Sequence, residues 1–260
     1  MPEAALPVAT EQTPAAPRVL SDAEREQLKR LQLPEEDGVP LESHYHVLQG
    51  DLLAELIYYL FGERDDYFCG RNMFIYFSLE QAQEIIEYVR GERDSVRYKG
   101  PDLFVALGVD GKKRRKSWLV WEENDKFPDL IVEIVSPSTK EKDLKDNLEL
   151  YATVFRTREY FWYDEEAGEW AGYRLEGDGY VPIEPNDKGW RWSEVLGAWF
   201  GVSDAPYRGW RYRWLRLYDR EGRLIPTADE RAAQERQQRE QLERRLAALE
   251  AELKKLRGEQ

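Results

Sequence analysis

The sequence predicts an α/β fold with a long helical tail, and three observations carry that expectation. The stretch "PDLIVEIV", residues 128–135, is an almost unbroken aliphatic and β-branched run, the pattern of a strand covered on both faces. It is followed by "KEKDLKDNLELYATVF", with apolar residues at helical spacing, and then by a second apolar run, "REYFWYD". From Ala228 the chain is almost all Glu, Gln, Arg, Ala and Leu, with no Gly or Pro before Gly258, which reads as one continuous helix. Strands alternating with helices give the α/β class.

The remaining elements follow in chain order. Residues 1–20 are rich in Pro, Ala and Thr and read as a disordered tail. "SDAEREQLKRLQL" opens on a Ser N-cap and predicts a short helix, and the turn-rich "PEEDGVPLES" connects it onward. "HVLQGDLLAELIYYLFG" predicts a buried first core helix ending at Gly62. "DYFCGRNMFIYFS" reads as a strand, "LEQAQEIIEYVRGE" as helical or mixed, and "GPDLFVALGV" as another apolar strand. "KSWLVWEE" is a strand or ribbon, and Ser138 with Glu141 has capping-box spacing before the helix after "SPST". "EWAGYRLEGDGYVPIEP" predicts a hairpin across Gly-Asp-Gly, and a Trp-rich segment with a strand near "GWRYRWLRLYD" completes a domain over residues 21–226. In the tail, residues 228–257, Leu242, Leu246, Leu249, Leu253 and Leu256 alternate spacings of four and three, a coiled-coil seam that predicts a homodimer. A single helix packed on its own domain is the other reading of that stretch.

Composition narrows the function. The net charge of −13 argues against broad attraction to nucleic acid, so any such contact needs a local basic patch. The densest basic run is "GKKRRK", with Lys112, Lys113, Arg114 and Arg115 as candidate phosphate contacts and a solvated loop tip as the other reading. Cys69 is the single cysteine, and His44 and His46 are the two histidines, so neither a disulfide nor a Cys/His zinc site is expected. No apolar stretch approaches the ~20 residues of a membrane span, and the N-terminus lacks the basic and apolar regions of a secretory signal. The expectation is a cytoplasmic protein. The nine tryptophans read as aromatic core packing. Neither a "GxxxxGK" phosphate loop nor a "GxSxG" nucleophile elbow occurs, and Ser136, Ser138 and Thr139 have no histidine nearby in sequence.

One residue does not fit a purely structural strand. Glu133 stands in the middle of the "LIVEIV" run, where an ionised carboxylate without a partner costs several kcal/mol or shifts its pKa. A strand opening with Pro-Asp occurs twice, at Pro101-Asp102 and Pro128-Asp129. Strand alternation puts Asp102 on the face of Phe104 and Ala106, and Asp129 on the face of Glu133. If the two strands are neighbours, Asp102 and Glu133 converge on one divalent cation. Mg²⁺ takes one or two carboxylates plus water and phosphate oxygens, so two acids suffice. A turn cap for Asp102 and an ion pair between Glu133 and Lys140 or Lys142 are the structural alternatives.

The motifs "NMFIYFS", "GPDLF", "RKSWLVWEE", "FPDLIVEIVSPST" and "FRTREYFWYD" taken together resemble the Uma-type restriction endonuclease family, a branch of the PD-(D/E)XK nucleases, from about Leu33 to Val202. The resemblance implies a restriction-endonuclease-like αβββαβ core with a mixed sheet, and hydrolysis of DNA phosphodiesters with Mg²⁺ or Mn²⁺. It implies Asp102 and Glu133 as metal ligands and Glu55 on the first core helix as an outer acid, and it includes Asp129 in the strand motif. It also implies a lysine that orients water and stabilises developing charge. Two residues after Glu133 the chain has Val135, and the family-like "D-x-x-x-K" before a tyrosine is here Asp143, Asn147, Tyr151. The lysine is absent. Lys140 and Lys142 near the helix start are the candidate substitutes, whereas Lys145 points away from Asn147. Three readings follow: a metal-dependent endonuclease with Asn147 in the lysine's place, a degenerate nuclease fold that binds nucleic acid or protein without cutting, and a scaffold whose coiled coil is the working part.

Overall fold

A computed structural model describes residues 20–31, 33–34, 43–96, 100–135, 140–164 and 166–258, with backbone alone for 140–143. The elements run α1 (Asp22–Arg30), α2 (His44–Phe61), β1 (Tyr67–Arg71), β2 (Ile75–Tyr76), α3 (Leu79–Val89), β3 (Leu103–Leu107) and β4 (Trp118–Leu119). They continue with β5 (Leu130–Val135), α4 (Lys140–Thr153), β6 (Glu159–Asp164), β7 (Trp170–Glu176), β8 (Gly179–Pro182), β9 (Arg191–Ser193), β10 (Ala198–Ser203), β11 (Trp214–Tyr218) and α5 (Ala228–Leu256). Of the expected disordered tail, residues 1–20, the first nineteen lie outside the described ones, as do Ser136, Ser138 and Thr139, while Leu20 is buried against Leu28 and Ile85 in a third core.

Six strands form a mixed sheet in the order β1-β3-β5-β6-β7-β8. Neighbours are antiparallel except β5 and β6, which run parallel because α4 carries the chain back across the sheet between them. The fold is mixed α/β with a mixed sheet, in which α2, β1, β3, β5, α4 and β6 follow one another with β2, α3 and β4 inserted between them. The "DYFCGRNMFIYFS" stretch is not one strand. Asn72, in the left-handed region at φ +43°, turns the chain after β1, and β2 pairs instead with β4 in a separate ribbon.

Alternation on β3 and β5 sorts their residues onto two cores. Leu103, Val105, Leu130 and Val132 join Leu52, Leu53, Leu56 and Ile57 of α2, together with Phe200, Leu215 and Leu217 of β10 and β11. Phe104, Ala106 and Ile131 face the other way, against Leu150, Tyr151, Val154 and Phe155 of α4. The central strand is covered on both sides. β9, β10 and β11 form a second, antiparallel sheet, which sequence reading reduced to one strand and a Trp-rich segment.

α5 stands apart. Its N-terminus is capped by Thr227 and Glu230, but none of its residues is buried, and its five seam leucines are between 49% and 80% exposed. A helix packed on its own domain would hide them. That alternative is excluded.

Candidate active site

Asp102 immediately precedes β3, and Glu133 lies within β5. Their strands pair antiparallel with Leu103 opposite Val132, so one step further Asp102 and Glu133 stand opposite each other where the ladder ends. Side chains complete the pairing there. The Asp102 N–H donates to Glu133 Oε2 at 3.2 Å, and the Ile134 N–H donates to Asp102 Oδ2 at 2.6 Å. Both acids are fixed by the backbone of the other's strand.

Two helices reach the same point from opposite sides. From α4, Tyr151 donates its hydroxyl to Glu133 Oε1 at 2.5 Å, and Asn147, one turn earlier, donates its amide to the same oxygen at 3.3 Å. From the first turn of α2, His46 Nε2 lies 3.1 Å from Asp102 Oδ1. Beside them the hydroxyl of Tyr160 is buried and has no hydrogen-bond partner among the described residues.

Burial pushes the Glu133 carboxyl well above its ordinary value, and the Asp102 carboxylate facing it pushes the same way. The bonds donated by Tyr151 and by the Asp102 N–H pull against this but do not offset it. Burial and the Glu133 charge likewise raise Tyr160. Among the described residues no lysine or arginine pairs with either acid, and no three His, Cys, Asp or Glu side chains converge as a metal cage. Two carboxylates in contact, next to an orphaned hydroxyl, are a donor set that suits a small hard dication completed by water. The residues present fit such an ion.

Residues 36–203 match the model of the Uma2 family, described as "Putative restriction endonuclease". The chain belongs to the Uma2 family. Among solved structures it is similar to a nuclease, described as putative and belonging to DUF820, from Anabaena variabilis. That match has 13% identity, covers 66% of this chain and 89% of the other, and has a TM-score of 0.42. No curated protein matches.

Within this Uma2 domain the other sequence-predicted residues are scattered. Glu55 is nine positions beyond His46 on α2, about 13 Å along the helix and half a turn around it. It accepts from the Ala228 N–H at 2.5 Å and the Tyr207 hydroxyl at 3.3 Å, and so holds the start of α5 instead of joining the acids. Asp129 shares a face with Glu133 but sits four residues back, where it accepts from the Leu107 N–H at 2.7 Å and pairs with Lys126 at 2.7 Å. The side chains of Lys140, Lys142 and Asp143 lie outside the described residues. Lys145 is exposed.

The basic run is divided by Glu123, which is buried and binds both Lys113, at 2.6 Å, and Arg115, at 2.8 Å. Arg115 is further held over the rings of Phe68 and Trp118, and its side chain is only 2% exposed. It is therefore no phosphate contact in this conformation. Lys112 and Arg114 remain exposed. The loop leaves the end of β3 distant from Asp102, about 17 Å away at strand rise, and its Gly111 N–H bonds Asp65 beside the start of β1.

Sequence reasoning used His46 only to dismiss zinc and so missed it as a partner of Asp102. The available signal was its spacing: Gln49 and Leu53, three and seven residues on, place His46 on the buried stripe of α2.

Proposed function

We propose that this chain is a phosphodiesterase of the restriction-endonuclease type, acting on DNA with Mg²⁺ or Mn²⁺ held by Asp102 and Glu133. The observation that carries this reading is the buried contact between the two carboxylates, one of them pushed well above its ordinary range, without a guanidinium or ammonium partner among the described residues. An arrangement that costs stability in the folded protein is expected where a ligand relieves it. Bound there, the ion would polarise a phosphoryl oxygen and lower the pKa of its water. The protein's own groups do the positioning. His46 lies against Asp102, Tyr151 and Asn147 orient Glu133, and the Ile134 N–H fixes the second oxygen of Asp102. Asn147 can hydrogen-bond a water but supplies no positive charge.

That amide favours a second reading, in which the fold binds nucleic acid or protein and no longer cuts. The two readings share the metal site and differ in turnover, so metal binding is the first test. Calorimetric titration with Mg²⁺ and Mn²⁺ should give binding heat in the natural protein that is lost in Glu133→Gln and in Asp102→Asn. Equal heats in all three proteins would move the metal elsewhere. The working unit in this reading is a homodimer joined through α5.

A further inference from the structure

α5 presents its leucines to solvent in a regular seam, with Leu246 and Leu253 at one set of core positions and Leu242, Leu249 and Leu256 at the other. We propose that this seam binds α5 of a second copy as a parallel, in-register two-stranded coiled coil, which places both nuclease domains at the same end of the coil.

The flanking charges select the orientation. In a parallel pair the residue before each Leu246-type position meets the residue after the Leu249-type position of the next heptad on the other helix. Arg245 then faces Glu250 of the second copy, and Glu252 faces Arg257 of the second copy. Both pairs are opposite in sign, and two-fold symmetry makes each occur twice. In antiparallel alignments of the same leucines the opposite-sign pairs, Arg245 with Glu252 or Glu243 with Arg257, are cancelled by like-charge ones. One sets Glu243 against Glu250, and the next sets Glu250 and Glu252 each against its own counterpart. The helix's own ion pairs, Arg239–Glu243 and Glu240–Arg244, leave Arg245, Glu250 and Glu252 out of their bonding.

The seam also has a defined beginning. Continued toward the domain, its core positions are Ala232, Glu235 and Arg239, which cannot form an apolar interface. Pairing therefore starts at Leu242, about 20 Å of helix beyond Ala228. At the domain end the helix is fastened by the 2.7 Å Glu230–Arg216 ion pair and by Arg231 over the ring of Tyr59. The two domains would thus stand side by side on helical arms. The pairing depends on α5 alone, so it stands or falls separately from cleavage.

The test uses the full chain. Light scattering should give about twice the 30.7 kDa chain mass, and Leu249→Glu with Leu253→Glu should return it to the single-chain value. Arg245→Glu should weaken the dimer roughly tenfold, because an attraction becomes a repulsion at two symmetric places. Adding Glu250→Arg should restore it in the parallel arrangement, whereas adding Glu252→Arg instead should not, because that change mends only the antiparallel 245–252 pair and in the parallel coil sets a second arginine against Arg257. Independently, Leu256→Cys should give a disulfide-linked dimer on mild oxidation, and the buried Cys69 does not compete. A single-chain mass for the natural protein, a dimer indifferent to the leucine changes, or a charge swap that fails to restore pairing would each overturn the proposal.

Discussion

Glu133 and Glu159 are buried acids on adjacent strands of one sheet, and the protein treats them in opposite ways. Glu159, 1% exposed at the start of β6, accepts from the Arg174 guanidinium at 3.0 Å, the Ser193 hydroxyl at 2.5 Å and the Glu194 N–H at 2.8 Å. Its charge is neutralised and its oxygens are occupied, and the result ties β6 to β7 and to the second sheet. Glu133, 7% exposed, receives a phenol, an amide and one N–H, and faces another carboxylate. A buried acid with an arginine is a rivet. One set against a second acid must take up a proton or a cation.

The largest expected effect comes from giving Glu133 the positive neighbour it lacks. Asn147→Lys puts an ammonium one turn before Tyr151, on the α4 face that already touches Glu133. Such a charge-stabilising contact is worth roughly 3–4 kcal/mol, or 10²–10³ in rate. Supercoiled DNA with Mg²⁺ should be cut weakly or not at all by the natural protein and measurably by Asn147→Lys, while Lys145→Ala changes little. Strong cleavage by the natural protein that collapses in Lys140→Ala or Lys142→Ala would mean that another lysine already does this work.

A smaller effect, and one on stability alone, is expected at Glu159. Glu159→Gln leaves the Arg174 guanidinium with Glu194, at 3.2 Å, as its remaining counter-charge, and that side chain is 28% exposed and partly rehydrates. The loss should be about 2 kcal/mol, below the 3–5 kcal/mol of a fully buried broken pair. Denaturant unfolding should record it, while the Mg²⁺ binding heat stays unchanged. If the heat disappears as well, the two acids are not independent and the distinction between them fails.

The same contrast explains what the sequence could reveal. Glu133 was conspicuous because a charge inside "LIVEIV" violates the local pattern, and Asp102 because Pro-Asp recurs before a second strand. Their convergence required only that β3 and β5 be neighbours, which the register supplies. His46 and Glu55 were not separable in that way. Both lie on α2, and although spacing puts His46 on the buried stripe, which of them meets Asp102 depends on where the helix crosses the sheet, a tertiary fact. The basic run misled for a related reason. Five consecutive cations look solvated in a string of letters, yet a glutamate ten residues from Lys113 holds Arg115 against Phe68 and Trp118. The break after β1 hangs on one left-handed Asn72, inside a run whose apolar content reads as a single strand.

The smallest effect is a pH dependence that belongs to Glu133. Its folded-state pKa is raised above the ordinary value of 4.5 by burial and by Asp102, so between those limits the native state holds a proton that the unfolded chain has released. Its contribution to stability is therefore full below about pH 4.5 and is lost as pH rises through the folded value. For one proton the fall is at most about 1.4 kcal/mol per pH unit. Glu133→Gln carries no titrating proton there and should remove that slope, although Asp102 and the rest of the fold are intact. A divalent ion competes for the same carboxylate oxygens, so Mg²⁺ should stabilise the natural protein increasingly as pH rises and release a proton when it binds. Thermal melts across pH 4–8, with and without Mg²⁺, in the natural protein and in Glu133→Gln, measure both effects together. Parallel pH profiles for the two proteins would show that Glu133 is held as firmly as Glu159, and would leave no reason for a cation at this site.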